Sequence, residues 1–463
     1  MSTWSFGVAA ADVTPCQPQY LVGMGWRTER SQGVYLPLVA TALYITDGKA
    51  EAVLLSADII AFPLPLVRRL RRAAQQETGV PAGHVVCCAT HTHDAPRLSD
   101  DLVMVGETDW GYVREFERQV RALVPAAKAA ARPGRMLFSR TRSRLGVNRR
   151  QWDPVNRVAK HAPNPEGAHD RALDTRWFVD ARGRPLCTLA TYGCHPTACG
   201  QYLLGGDYPG FCRQVLQATT RAPALWCNGC GANVRPWFSG NLETYGGGTP
   251  EAARQMGEAQ AREILASRHA AFAVELESLQ VSQTTIRLPL QPAWSYEEFR
   301  DRQFGSYAKT LGEACVRQVY ERAVQRRSVP FEIQVLSLRP DHHLVYWSGE
   351  VCTDLGLALK DHCPGQIVTP HGYANGLVGY IPPRHAFPQG GYEPERSCCF
   401  FQLPAPFQAD IEDRIIAASL RLVRRHRAAP TARSQGQSAV RQVRGSGLSR
   451  SSGRRPDKEP RLE

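Results

Sequence analysis

The sequence predicts an α/β protein of layered, mixed β-sheets flanked by helices. Three observations carry this. Short apolar runs alternate with amphipathic stretches through the first 131 residues, as in proteins that stack helices on sheets. The chain has 463 residues, 43% of them hydrophobic, which is ample for a large core. No run of eighteen apolar residues occurs, so no membrane span is expected.

The elements follow in order. Residues 6–13 read as a first strand, ended by Thr14-Pro15, and Gly23-Met24-Gly25 as a loop. Residues 38–44 and 52–60 are apolar runs around the turn Thr46-Asp47-Gly48, a hairpin signal that sets Asp58 inside an apolar strand. A buried carboxylate needs a partner or a metal, and a hydrogen-bonded structural role is the slightly favoured reading for Asp58. Residues 64–78 form a helix, with Leu66, Val67, Leu70 and Ala74 on one face and Gly79 as the stop. Residues 85–88 read as a buried strand. A second helix spans 109–131, where Pro125 is expected to kink or break it. The arginine-rich stretch 132–180 reads as an irregular, lid-like excursion.

Beyond it, 185–193 is a strand running into Cys194-His195-Pro196-Thr197, and 205–210 a turn carrying Asp207. The strand 224–227 leads into a glycine-rich loop, 228–236. Thr249-Pro250-Glu251 has the N-cap and N1-proline signature of a helix start. Residues 275–290 alternate like a strand pair, and Ser295 to Glu298 is a capping box. Residues 329–338 and 344–348 read as paired strands, followed by Gly349-Glu350 and later by Tyr392-Glu393.

Composition narrows the function classes. The net charge is +13, with part of the excess beyond residue 421. Residues 1–427 are expected to form the folded domain, and 428–463 a disordered basic tail too poor in apolar residues to pack. That tail holds no aromatic residue to stack on bases, so nucleic-acid binding is the weaker reading. The N-terminus lacks a basic segment followed by an apolar one, so no secretory signal is read. The 14 scattered cysteines are expected to be free thiols in a cytoplasmic protein. Cys227 and Cys230 have zinc-knuckle spacing, but no second such pair follows.

The chemistry gathers at strand ends. His91 and His93, in Thr90-His91-Thr92-His93, are two apart, and on an extended chain they would point the same way. Imidazole is the commonest protein ligand for zinc, although an isolated His-x-His also suits a solvated turn. His195 sits at a strand end before a proline, as this pair does.

Together these segments resemble the N-terminal catalytic domain of the neutral, non-lysosomal ceramidases. Thr90-His91-Thr92-His93, His195-Pro196-Thr197, the loop 228–236, Gly349-Glu350 and Tyr392-Glu393 stand in the family's order, spread over about residues 5–425. The resemblance implies a ceramidase-like fold and a catalytic Zn2+ held by His91, His195, Glu350 and Tyr392, with His93 facing the substrate as proton donor or oxyanion partner. Two departures matter. Arg235 stands where ceramidases carry a serine, and no immunoglobulin-like domain is expected after residue 428. Arginine cannot act as that nucleophile. The expected function is zinc-dependent hydrolysis of an amide or related C–N bond in a small-molecule substrate that is not ceramide. Arg235 would pair with an anionic group or else serve as a structural arginine, and Asp58 and Asp207 would orient the histidines. A metal-dependent cyclase or lyase on the same scaffold is the alternative, since a fold does not fix a reaction. Oligomeric state is not legible.

Overall fold

The computed structural model describes residues 4–305 and 307–425, and the expected tail lies outside the described residues. Three larger sheets form the frame. The first runs in the order Val85–Ala89, Glu51–Ala57, Val39–Thr46, Ser5–Asp12, Arg132–Pro133. The second runs Ala224–Asn228, Pro185–Tyr192, Ala172–Val179, Arg135–Arg142, Phe272–Val274, and the third Gln280–Pro289, Ser328–Arg339, His342–Trp347, Ile367–His371.

Strand alternation explains how they stack. In the first sheet Ala42, Tyr44, Val53, Leu55, Val85 and Cys87 face one way, into a core shared with helices Leu64–Thr78 and Trp110–Ala129. Leu43, Ile45, Leu54, Val86 and Cys88 face the other way, into a core shared with Phe138, Phe178, Leu225, Leu336 and Tyr346 of the other two sheets. Both faces are covered, so these strands read as continuous apolar runs.

Each sheet is mostly antiparallel but ends in one parallel pair. Val85–Ala89 lies parallel to Glu51–Ala57, Ala224–Asn228 to Pro185–Tyr192, and Ile367–His371 to His342–Trp347. A parallel pair needs a crossover, and the helices Leu64–Thr78, Asp207–Thr220 and Thr353–Asp361 provide the three. The parallel edges meet at the centre. Cys88 bridges to Ala374 and Gly229 to His371, so the carboxyl ends of the edge strands open toward one point.

Several expectations need correction. Residues 132–180 are not an excursion: they hold the strands Arg135–Arg142, Gly146–Asp153, Val158–Asn164 and Ala172–Val179. Arg140, Arg149, Arg150 and Arg176 among them are paired rather than solvated. Arg140 binds Asp174 through two nitrogens, at 2.5 and 2.8 Å, and the fully buried Arg176 donates to Thr369 at 2.8 Å. Helix Trp110–Ala129 runs through Pro125, because buried Val124 and Ala127 anchor its last turns. Residues 275–290 supply one strand, Gln280–Pro289, rather than a pair. Asp207 opens a helix rather than sitting in a turn. The helix starts at Thr249 and Ser295 form as read, with Thr249 accepting from the Ala252 amide and both halves of the Ser295 capping box present. No helix among the described residues is long and apolar enough to cross a membrane. All 14 cysteines are unbridged, Cys227 and Cys230 included.

Candidate metal centre and active site

His91 and His93 lie just past the end of Val85–Ala89, in a loop rather than on an extended chain. His91 takes a left-handed backbone with φ of 68°. That conformation is costly for a residue other than glycine and persists only where its surroundings hold it. Here the His91 amide donates to the Ile59 carbonyl at 3.0 Å, and its ring stacks on Tyr373 with centroids 4.0 Å apart. The result still brings His91 and His93 together, with their Nε2 atoms 3.4 Å apart. His195 follows the strand Pro185–Tyr192, and its amide donates to the Val234 carbonyl at 2.9 Å. His91, His93 and His195 are buried, and their nitrogens lie within 4.8 Å of one another.

The carboxylate comes from the short strand Glu350–Val351, which follows His342–Trp347 of the third sheet. Glu350 Oε2 is 3.2 Å from His91 Nε2 and 3.2 Å from His195 Nε2. The tautomers decide what this means. His91 Nδ1 lies 2.7 Å from the Ile60 carbonyl, and His195 Nδ1 lies 2.9 Å from the Gly231 carbonyl. A carbonyl only accepts, so each Nδ1 carries the proton and each neutral Nε2 presents a lone pair. Two lone pairs thus face the buried Glu350 Oε2, which has no hydrogen-bond partner. Glu350 is nevertheless held well below the usual carboxylate range: burial pushes it up, and the facing histidines outweigh that. Acceptors facing acceptors across 3.2 Å in a dry site fit a cation between them.

A fourth donor is nearby. The Tyr380 hydroxyl lies 3.3 Å from His195 Nε2, on the short strand Tyr380–Ile381 that pairs with Glu350–Val351. Tyr392, the tyrosine expected from the sequence, packs behind it with ring centroids 5.2 Å apart. Both line an open pocket with Gly23, His93 and Glu350, and its remaining wall is the apolar set Ile60, Leu102, Met104, Phe400 and Phe401.

His93 is the free hand of the site. Its Nδ1 has no partner, and burial followed by the facing His91 and His195 holds it well below the usual histidine range. Arg27 positions it, donating to the His93 carbonyl at 2.5 Å and to Asp94 Oδ1 at 2.6 Å. Gly23 leaves room for the ring, since a Cβ there would lie 2.3 Å from His93 Nδ1.

Asp58 and Asp207 do not orient the histidines; backbone carbonyls do. Asp58 takes both terminal nitrogens of Arg213, at 2.9 and 2.5 Å, which is the structural role. Asp207 accepts from the amides of Ala198, Cys199 and Tyr208, and burial followed by the Asp94 charge pushes it up to about 7. Arg235 stands beside the site. Its Nε donates to Thr197 Oγ1 at 3.2 Å and its guanidinium lies 4.6 Å over the Tyr245 ring. Sequence reasoning missed Tyr380, Arg27 and Arg149. For Arg27 the only signal was its place after the Gly23-Met24-Gly25 loop.

The fold and site thus define a class: mixed sheets whose parallel edges converge on a buried histidine–carboxylate cluster. Comparison gives that class a name. No protein-family model matches the chain, and no curated protein matches it. Solved structures do. The neutral ceramidase from Pseudomonas aeruginosa superposes with a TM-score of 0.70 at 18% identity, covering 93% of this chain and 76% of that one. A ceramidase complexed with C2 superposes with a TM-score of 0.69 at 17% identity, covering 93% of this chain and 77% of that one. The chain has the neutral ceramidase fold.

Proposed function

We propose that this protein is a zinc-dependent hydrolase of an amide or related C–N bond in a small molecule. The observation that carries the reading is the pair of unprotonated Nε2 atoms facing the unpartnered Glu350 Oε2, each 3.2 Å away. His91, His195, Glu350 and Tyr380 would hold the metal, with Tyr380 in place of the Tyr392 read from the sequence, because its hydroxyl is the one that reaches His195. Bound Zn2+ supplies Lewis acidity and a water whose pKa falls to about 7.

The protein's own groups do the rest. The Ile60 and Gly231 carbonyls fix both imidazole tautomers, and burial excludes competing water. Neutral His93, with one nitrogen at the cluster and the other unengaged, can take a proton from the attacking water and pass it to the departing nitrogen, or hold the developing oxyanion through its N–H. No serine stands at Arg235, so water rather than a side chain is the nucleophile of this reading.

Metal analysis of the purified chain with a substrate screen tests the proposal. His91→Ala and His195→Ala should each lose metal and activity together. His93→Ala should keep the metal and lose rate by about 10²–10⁴. Metal at full occupancy in both ligand variants would sink the reading. Product mass separates it from a cyclase or lyase, since only hydrolysis adds water. Long-chain ceramide should be a poor substrate, because Arg235 stands where the resemblance puts the serine of the ceramidases.

A further inference from the structure

His91, His93 and part of the pocket wall come from one short run of chain. Past His93 the chain reaches Arg97 and turns through residues 99–106, a stretch without helix or strand. That turn carries Leu102 and Met104, two residues of the apolar wall. An irregular stretch has no ladder, so its carbonyls need other partners. One buried side chain supplies them. Arg97 Nε donates to the Ser99 carbonyl at 3.1 Å, and Nη2 to the Leu102 carbonyl at 3.1 Å. Its Nη1 donates to the Met104 and Gly106 carbonyls, at 2.9 and 2.7 Å. Nη2 also lies 3.4 Å from Asp100 Oδ1. Every nitrogen of this rigid, planar group therefore serves the same turn.

The turn is held from other elements too. The Val103 amide donates to the Phe400 carbonyl at 2.9 Å, and the Val103 side chain is buried in a cluster with Phe299, Phe304 and Val316. Gln402 Nε2 donates to the Asp100 and Asp101 carbonyls, each at 3.2 Å. Leu102 and Met104 are thus fixed between a buried arginine and the segment that carries Phe400 and Phe401, which also line the pocket. Met104 reaches the reacting end as well. Its Sδ accepts from the Gly23 amide at 3.1 Å, and Gly23 is the residue that makes room for His93.

We infer that Arg97 is a positioning residue that determines specificity. By gathering the carbonyls of residues 99–106 it fixes how far the apolar wall stands from the histidine cluster, and so sets the length of apolar chain the pocket admits. The inference rests on the reading above that this pocket holds the substrate. The substrate that fits carries its scissile bond beside an apolar group of limited length. Arg97 acts on that group through Leu102 and Met104, whose carbonyls it holds.

Binding tests this separately from cleavage. The probes are straight-chain hydroxamates, from acetohydroxamate to dodecanohydroxamate, measured by calorimetry on the zinc-loaded full chain. Affinity should rise about fourfold per added methylene, the worth of burying one, and stop rising once the chain meets the wall. Arg97→Gln frees the turn and should raise the first chain that gains nothing in the native protein by about fourfold, at unchanged zinc content. Arg97→Lys, which keeps the charge with fewer donors, should fall between the two. Leu102→Ala shortens the wall, leaves Arg97 in place and should also move the stop to a longer chain. A stop that neither Arg97→Gln nor Leu102→Ala moves, an affinity independent of chain length, or loss of the fold in both Arg97 variants would overturn the inference. Acetohydroxamate reports on the zinc reading alone. If it does not bind, a series of 1-alkanols, which need no metal, makes the same comparison of stops between the native chain and its variants.

Discussion

Tyr380 and Tyr392 stand side by side, yet only one presents its hydroxyl to the histidine cluster. Burial, and then the Glu350 charge, raise the Tyr380 phenol well above its ordinary range, so it keeps its proton unless a cation is present. Tyr380→Phe should therefore weaken zinc affinity, by at least about tenfold on the scale of lost metal-site contacts, while Tyr392→Phe should leave it unchanged. Zinc titration against a competing chelator measures both, and the opposite pattern would restore Tyr392 as the ligand. Gly23 offers a second residue-scale test. It has a φ of 95°, and a methyl group there would meet His93 Nδ1 at 2.3 Å. Gly23→Ala should displace the His93 ring and lower kcat by about 10², the cost of a misplacement near 1 Å, without loss of zinc.

At the scale of elements, Glu393 ties the segment after Tyr392 to the strand Gly146–Asp153 through Arg149 and Arg150. Glu393→Gln leaves two buried guanidinium groups with no carboxylate and should cost about 3–5 kcal/mol of stability, read by denaturant unfolding. Its pH dependence has a definite sign. Burial opposes ionisation of Glu393, but Arg149 and Arg150 outweigh it and hold the carboxyl at about 2. An acid with a lowered folded pKa stabilises fully above its unfolded value, about 4.3, and that contribution is lost as pH falls toward 2. The variant should lack this part of the acid slope. These same arginines mark where the sequence was hard to read. The hairpin at Thr46-Asp47-Gly48, the helix Leu64–Thr78 and the helix starts at Thr249 and Ser295 were legible, because apolar period and caps are local signals. The strands of residues 132–180 were not, because Arg140, Arg149, Arg150 and Arg176 find their partners 34 or more positions away. The histidines and Glu350 could be picked out as candidates at strand ends. Tyr380 could not, since its role depends on Tyr380–Ile381 lying beside Glu350–Val351.

At the scale of the whole molecule, the sequence reading sets residues 428–463 outside the working domain. Truncation before Ala428 is expected to leave metal content, melting temperature and turnover nearly unchanged, and a shortened chain that unfolds would show that the tail contributes to the fold. Within the described residues, the cluster has a consequence for how the chain matures. His91 follows a strand of the first sheet, His195 a strand of the second, and Glu350 lies on a short strand just after His342–Trp347 of the third, so no nascent fragment holding only one sheet can present the set. The cluster is completed only when all three parallel edges have docked, through contacts far apart in sequence that form slowly. On the proposed zinc reading, capture of the metal is then a late event that reports the finished fold. In refolding from denaturant, metal supplied at the start or after collapse should give the same rate of recovery, and zinc should act mainly by slowing unfolding, as a clasp closed last.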